Sequence, residues 1–181
     1  MWVILEEAMY SDNVIFFDGE FTSLDPNNGR LISLALVRTN GESLYLELDP
    51  GDAPIDPWVV DHVMPYLSGA MITDEEAKKK ISKFVGKSQP FLVAKVNQFD
   101  WIFLTKLIGL SKKDGGGGIF QWIPIDFASL LFDRHIDPTT PSTHLAKELG
   151  AGIPEGYQYH HALSDALLLR VLYQKLAEIP T

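Results

Sequence analysis

Hydrophobic positions fall along this chain in two rhythms. Residues 13–17 (NVIFF) form a short unbroken apolar run, the mark of a strand buried on both faces. Residues 31–37 (LISLALV) repeat it, and residues 43–48 (SLYLEL) alternate as a strand with one covered face. The DPNNG segment at 25–29 is dense turn chemistry, and Asn40-Gly41 is a strong hairpin signal. Three strands therefore make an antiparallel meander. Beyond it, short apolar runs at 90–95 (PFLVAK) and 121–125 (QWIPI) alternate with helical patterns. Residues 58–67 read as short helix or loop, broken by Pro65. Thr73 with Glu76 three residues on is a capping box for a helix to about Val85. A helix over 100–108 ends at Gly109, another opens over 127–132, and Ser142 caps one that ends at Gly150. Residues 160–176 are the last and most apolar helix. Hairpin-linked strands followed by alternating strands and helices predict a mixed α/β sheet of five strands with helices on both faces.

A length of 181 residues, against roughly 150 per domain, predicts one domain. We read residues 1–11 as an N-terminal extension, perched ahead of a domain over 12–181, with Trp2 and Tyr10 as its docking side chains. With 46% hydrophobic and 22% charged residues the chain is globular rather than disordered. The glycine run at 115–118 reads as a flexible loop; no Gly-Lys-Ser/Thr follows it, so it is not a phosphate-binding loop. The absence of cysteine excludes disulfide scaffolds, thiolate zinc sites, iron–sulfur clusters and a cysteine nucleophile. No stretch reaches the ~18 apolar residues of a membrane span, and the expected compartment is the cytoplasm. A formal charge of −9 argues against a protein that holds many phosphates through basic side chains. A nucleic-acid substrate would have to be held at few phosphates, or through cations.

Three acidic features sit where surface charge is not expected. Asp18-Gly19-Glu20 follows NVIFF directly, and residues two apart on a strand share a face. Both carboxylates would project together from the strand's end, with Gly19 permitting close approach to the backbone. Taken alone, they are better described as two acids on a strand emerging into water. Asp100 begins a stripe with Phe103, Leu104, Leu107 and Ile108, at helical spacing. An acid there also suits a helix N-terminus pointing to solvent. Asp165 lies beside Leu169, Leu172 and Leu176 in the greasy arc of the last helix, with no Lys or Arg one turn away. A lone buried charge is costly unless paired or metal-bound. Carboxylates are the ligands of hard divalent cations, and a pair of Mg²⁺ or Mn²⁺ ions can clamp both oxygens of a phosphoryl displacement. Two such ions add four positive charges, taking −9 to −5. His160, ahead of the last helix, suits a general base at neutral pH, whereas its neighbour His161 reads as a surface histidine.

Together these residues resemble a known pattern. The segment 17–26 (FDGEFTSLDP) is similar to the first motif of the DEDDh (DnaQ-like, ribonuclease-H-like) 3′–5′ exonuclease superfamily. Phe99-Asp100 with Phe103-Leu104 resembles the second, and His160-His161-Ala162-Leu163-Ser164-Asp165-Ala166 the third, with histidine in place of the sister group's tyrosine. Residues 58–67 (WVVDHVMPYL) look most like a branch of small bacterial and phage exoribonucleases. The resemblance implies a ribonuclease-H-like fold and two Mg²⁺ or Mn²⁺ ions on Asp18, Glu20, Asp100 and Asp165, with His160 as base. It implies hydrolysis of single-stranded RNA or 3′ overhangs from the 3′ end to nucleoside 5′-monophosphates. It further implies a wedge at Leu24, substrate contacts from Gly19, Phe21 and Thr22, and homodimers among relatives. Phe21 or Trp101 could stack on a base, although aromatics beside a buried strand are commonly core.

The chain departs from the pattern at Lys95 and Val96, where many relatives have His-Asn, and at Ser33, where a glutamate is common. Alternatives stay open: a DNA-directed exonuclease, a silent nucleic-acid-binding module on the same fold, or an α/β domain with coincidental acids.

Overall fold

The computed structural model describes residues 11–109 and 118–179. The expected N-terminal extension, with Trp2 and Tyr10, lies outside the described residues, apart from Ser11. So does most of the glycine run.

The meander forms as the apolar pattern predicts. Strands β1 (Val14–Phe21), β2 (Leu31–Arg38) and β3 (Ser43–Glu47) pair antiparallel. Strand β4 (Phe91–Ala94) joins β1 in parallel, and β5 (Ile125–Asp126) joins β4 in parallel. The sheet order is β3-β2-β1-β4-β5. β1 runs further than expected, so Asp18 and Glu20 stand within the strand rather than beyond its end. β5 is much shorter than the run at 121–125: Pro124 has no N–H for a ladder, so pairing begins only after it.

Alternation along β1 divides the core. Ile15 and Phe17 face helices α2 (Asp74–Val85) and α3 (Gln98–Ile108), packing on Ile81, Phe103 and Leu104. Val14 and Phe16 face α4 (Phe127–Asp133), α5 (Ser142–Glu148) and α6 (Ala162–Ala177). The shorter α1 (Pro57–His62), followed by a 3-10 turn at Met64–Tyr66, covers Ile32 with Val59 and Val63. The Thr73–Glu76 capping box forms. The cap expected at Ser142 does not: Pro141 takes that position, and Ser142 is the first helical residue, without a side-chain capping bond. The last helix begins at Ala162, leaving His160 in the loop ahead of it. Among the described residues no helix is long and apolar enough to cross a membrane.

Candidate active site

The C-terminal half of β1 supplies the first two acids. Asp18 and Glu20 share the parity of Val14 and Phe16, so both point toward the layer that contains α6. Between Glu20 and Phe21 the β1–β2 register slips, from Ser33 to Leu31, leaving Ile32 unopposed. Such a bulge re-aims side chains locally. Asp165, in the first turn of α6, completes a cluster in which carboxylate oxygens of Asp18, Glu20 and Asp165 lie within 4.8 Å of one another. Asp100 arrives from the opposite layer, at the start of α3. It is 7% exposed, and its Oδ1 accepts the Gly19 N–H at 3.1 Å. The peptide between the two β1 acids is thereby tied to the helix that carries the fourth. Gly19 is buried, and a Cβ there would meet Leu31 and Phe21 at 3.0 and 3.1 Å.

Three acids at one point, with Asp100 beside them, repel each other's charge. Burial first, and then Asp165, Asp100 and Glu20 in turn, push the Asp18 carboxyl well above its ordinary range. Burial and then Asp165 push Glu20 up to about 8. Asp100 and Asp165 are also raised, in each case chiefly by burial. For Asp165 this is opposed by the Tyr157 hydroxyl, which donates to Oδ1 at 2.6 Å, and by the backbone of His160 and His161. No ion pair reaches the cluster among the described residues. An all-oxygen donor set, crowded, partly desolvated and short of positive charge, fits a hard divalent cation. Asp18, Glu20 and Asp165 would hold it, and Asp100 stands next to them rather than inside the 4.8 Å group.

His160 sits in a left-handed backbone conformation (φ 57°), which is uncommon for a residue other than glycine. Its ring lies 3.8 Å from Tyr159 and meets the Trp58 ring edge-on at 4.8 Å. Trp58 in turn stacks on His62 at 4.6 Å. Burial, and then His62, hold the His160 imidazole below its ordinary value, so it is neutral at pH 7. His161, expected at the surface, stacks on Tyr45 at 4.8 Å and is only half-exposed.

The remaining sequence candidates divide. Leu24 is 59% exposed. Thr22 is fully buried, and its Oγ1 accepts the Arg30 N–H at 3.0 Å, so its hydroxyl shapes the following turn. The Phe21 ring stacks on Phe103 at 4.5 Å, within the core, and Trp101 packs half-buried against the same cluster. Lys95 donates to the Thr140 carbonyl at 2.6 Å, bracing the chain before α5. Val96 is left-handed (φ 60°), its N–H bound to Asp126 Oδ1 at 2.9 Å. The two departures in the second motif are thus used to fold the loop between β4 and α3.

Sequence reading missed Tyr157 and Glu47. Glu47 is 4% exposed and accepts from Tyr45 Oη, Ser68 N, Ser68 Oγ and Gly69 N at 2.7–3.1 Å. It stands in one row with Glu20 and Ser33 across three strands.

No protein-family model matches this chain, and no curated protein sequence does. Solved structures do match. One is Schizosaccharomyces pombe Pop2p in its Mg²⁺- and Mn²⁺-bound form, with TM-score 0.67 and 12% identity over 89% of this chain and 81% of that one. Another is a 3′-exonuclease described with its 3′-end-specific recognition of a histone mRNA stem-loop. It has TM-score 0.64 and 14% identity over 91% of this chain and 80% of that one. The fold is ribonuclease-H-like: a mixed five-stranded sheet, antiparallel and then parallel, between helices.

Proposed function

We propose that this chain is a metal-dependent 3′→5′ exonuclease of the DEDDh type, which shortens single-stranded RNA ends to nucleoside 5′-monophosphates. The observation that carries the reading is the meeting of Asp18, Glu20 and Asp165 oxygens within 4.8 Å. It occurs in a fold shared with a Mg²⁺- and Mn²⁺-bound protein.

Asp18, Glu20 and Asp165, with Asp100 beside them, would hold two Mg²⁺ or Mn²⁺ ions. Cations held there would supply the positive charge that offsets the phosphate and the charge developing on the attacking and leaving oxygens. The chain's own groups do the rest. Neutral His160 takes a proton from the attacking water. Tyr157 and the backbone of His160 and His161 orient Asp165 and oppose the upward push of burial on its carboxyl. Backbone at Gly19–Phe21 and the exposed Leu24 meet the terminal nucleotides. Trp58, 46% exposed and touching His160, supplies an aromatic surface on which a base can stack.

The test is digestion of matched 5′-labelled RNA and DNA oligonucleotides with Mn²⁺. The expected result is a ladder receding from the 3′ end, stronger on RNA, abolished by EDTA and by Asp165→Asn. His160→Ala should slow it by about 10²–10⁴-fold while binding persists. Undiminished cleavage in excess EDTA, or no shortening of either polymer, overturns the reading; equal or greater shortening of DNA overturns the preference for RNA.

A further inference from the structure

The turn that carries Leu24 is fastened from outside by one side chain. Lys106, in the last turn of α3, donates from Nζ to the carbonyls of Pro26 (2.9 Å), Asn27 (3.3 Å) and Gly29 (3.1 Å). An ammonium has three N–H donors, and all three are spent on one turn. The same Nζ lies 5.2 Å from the centre of the Phe103 ring, within cation–π range.

The turn is also closed from within. Asp25 accepts the Asn27 N–H at 2.9 Å and the Asn28 side-chain amide at 2.7 Å, and its carbonyl accepts the Gly29 N–H at 2.8 Å. At the neck, Thr22 and Arg30 exchange a backbone bond of 2.8 Å and the hydroxyl bond described above. Gly29 shows how tightly the turn lies on α3. A Cβ there would fall 2.5 Å from the Ser23 carbonyl oxygen, 2.7 Å from that of Asp25 and 2.9 Å from the Phe103 ring.

A single exposed leucine is unremarkable on a protein surface. Leu24, four residues beyond Glu20, differs because its turn is held to the helix that carries Asp100. We propose that Lys106 is a positioning residue that locks the turn at 23–29 onto α3, and so fixes Leu24 relative to the acidic cluster. The link from Leu24 to substrate rests on the exonuclease reading; the locking of the turn does not.

Lys106→Met keeps the stem and removes the donors, while Lys106→Arg restores them. Amide exchange at Asn27 and Gly29 should quicken by at least tenfold in Lys106→Met and recover in Lys106→Arg, while α6 amides stay unchanged as the control for folding. In oligonucleotide digestion Lys106→Met should raise KM about 5- to 10-fold and leave kcat within twofold. Leu24→Ala should do the same, and the double variant should be no worse than Leu24→Ala alone. Unchanged exchange in the turn overturns the proposal, as does a KM effect that adds to that of Leu24→Ala. A wild-type chain inert on every oligonucleotide would instead sink the exonuclease reading, and the exchange measurement would still decide what Lys106 does.

Discussion

Tyr157 shows how one hydroxyl can keep an acid available. Asp165 is pushed by burial toward its protonated form, and the 2.6 Å bond from the Tyr157 hydroxyl pulls it back. A carboxylate so held keeps its orientation, and groups behind a metal ligand typically contribute 10–100-fold to affinity. Tyr157→Phe should therefore weaken Mn²⁺ binding by about 10- to 100-fold, read from the electron paramagnetic resonance signal of free Mn²⁺. Unaltered affinity would show that the bond is incidental. Asp18, Glu20, Asp100 and Asp165 were legible because each breaks a hydrophobic pattern: two acids on a buried strand, one at the head of each apolar helical stripe. Tyr157 breaks nothing. It lies in a loop without periodicity, and only the path of the chain into α6 brings it to Asp165.

At the scale of elements, β3 carries a device that its alternation conceals. Ser43, Tyr45 and Glu47 share a strand face that the pattern assigns to solvent, yet Glu47 is buried beneath the turn at Ser68 and Gly69. That turn follows α1 and the 3-10 turn, so Glu47 fastens to the sheet the segment whose Trp58 touches His160. The four donors around it hold its carboxyl below the ordinary range against the effect of burial. Glu47→Gln preserves the shape but turns an amide NH₂ toward N–H donors. A buried polar group left unsatisfied costs about 1–3 kcal/mol, and a loss of that size should appear in urea unfolding. A loss below about 0.5 kcal/mol would mean the turn is held by other contacts. The elements most readily foreseen were those whose signal is local: the meander, the capping box, the helix ending at Gly109. The expected strand at 121–125 shrank to Ile125–Asp126 because an apolar run signals burial without showing that its N–H groups can pair.

The whole molecule sets a formal charge of −9 against the proposed task, which needs anions drawn in. Its acidic cluster answers this if cations sit there, and the same crowding links metal to stability. Burial and Asp165 raise Glu20 from 4.5 to about 8, so the folded chain holds that proton more tightly than the unfolded chain. The stability gained is complete below 4.5 and is lost as pH rises through about 8. Asp18, Asp100 and Asp165, raised in the same direction, add to this loss. Glu47 and Asp126 are lowered and act oppositely, but their contribution is lost only as pH falls through the acid range below 4.5. His160, held below its ordinary 6.5, acts oppositely but only as pH rises toward that value. From about pH 6.5 to 8.5 the cluster should therefore dominate, and in EDTA the melting temperature should fall across that window. Divalent cations bind the deprotonated acids and replace the missing protons, so saturating Mn²⁺ should raise the melting temperature more at pH 8 than at pH 5. The check is a thermal melt at each pH with EDTA and with Mn²⁺. A melting temperature in EDTA that holds or rises over the window, with no added gain from Mn²⁺ at the upper end, would mean the four carboxylates do not share one site.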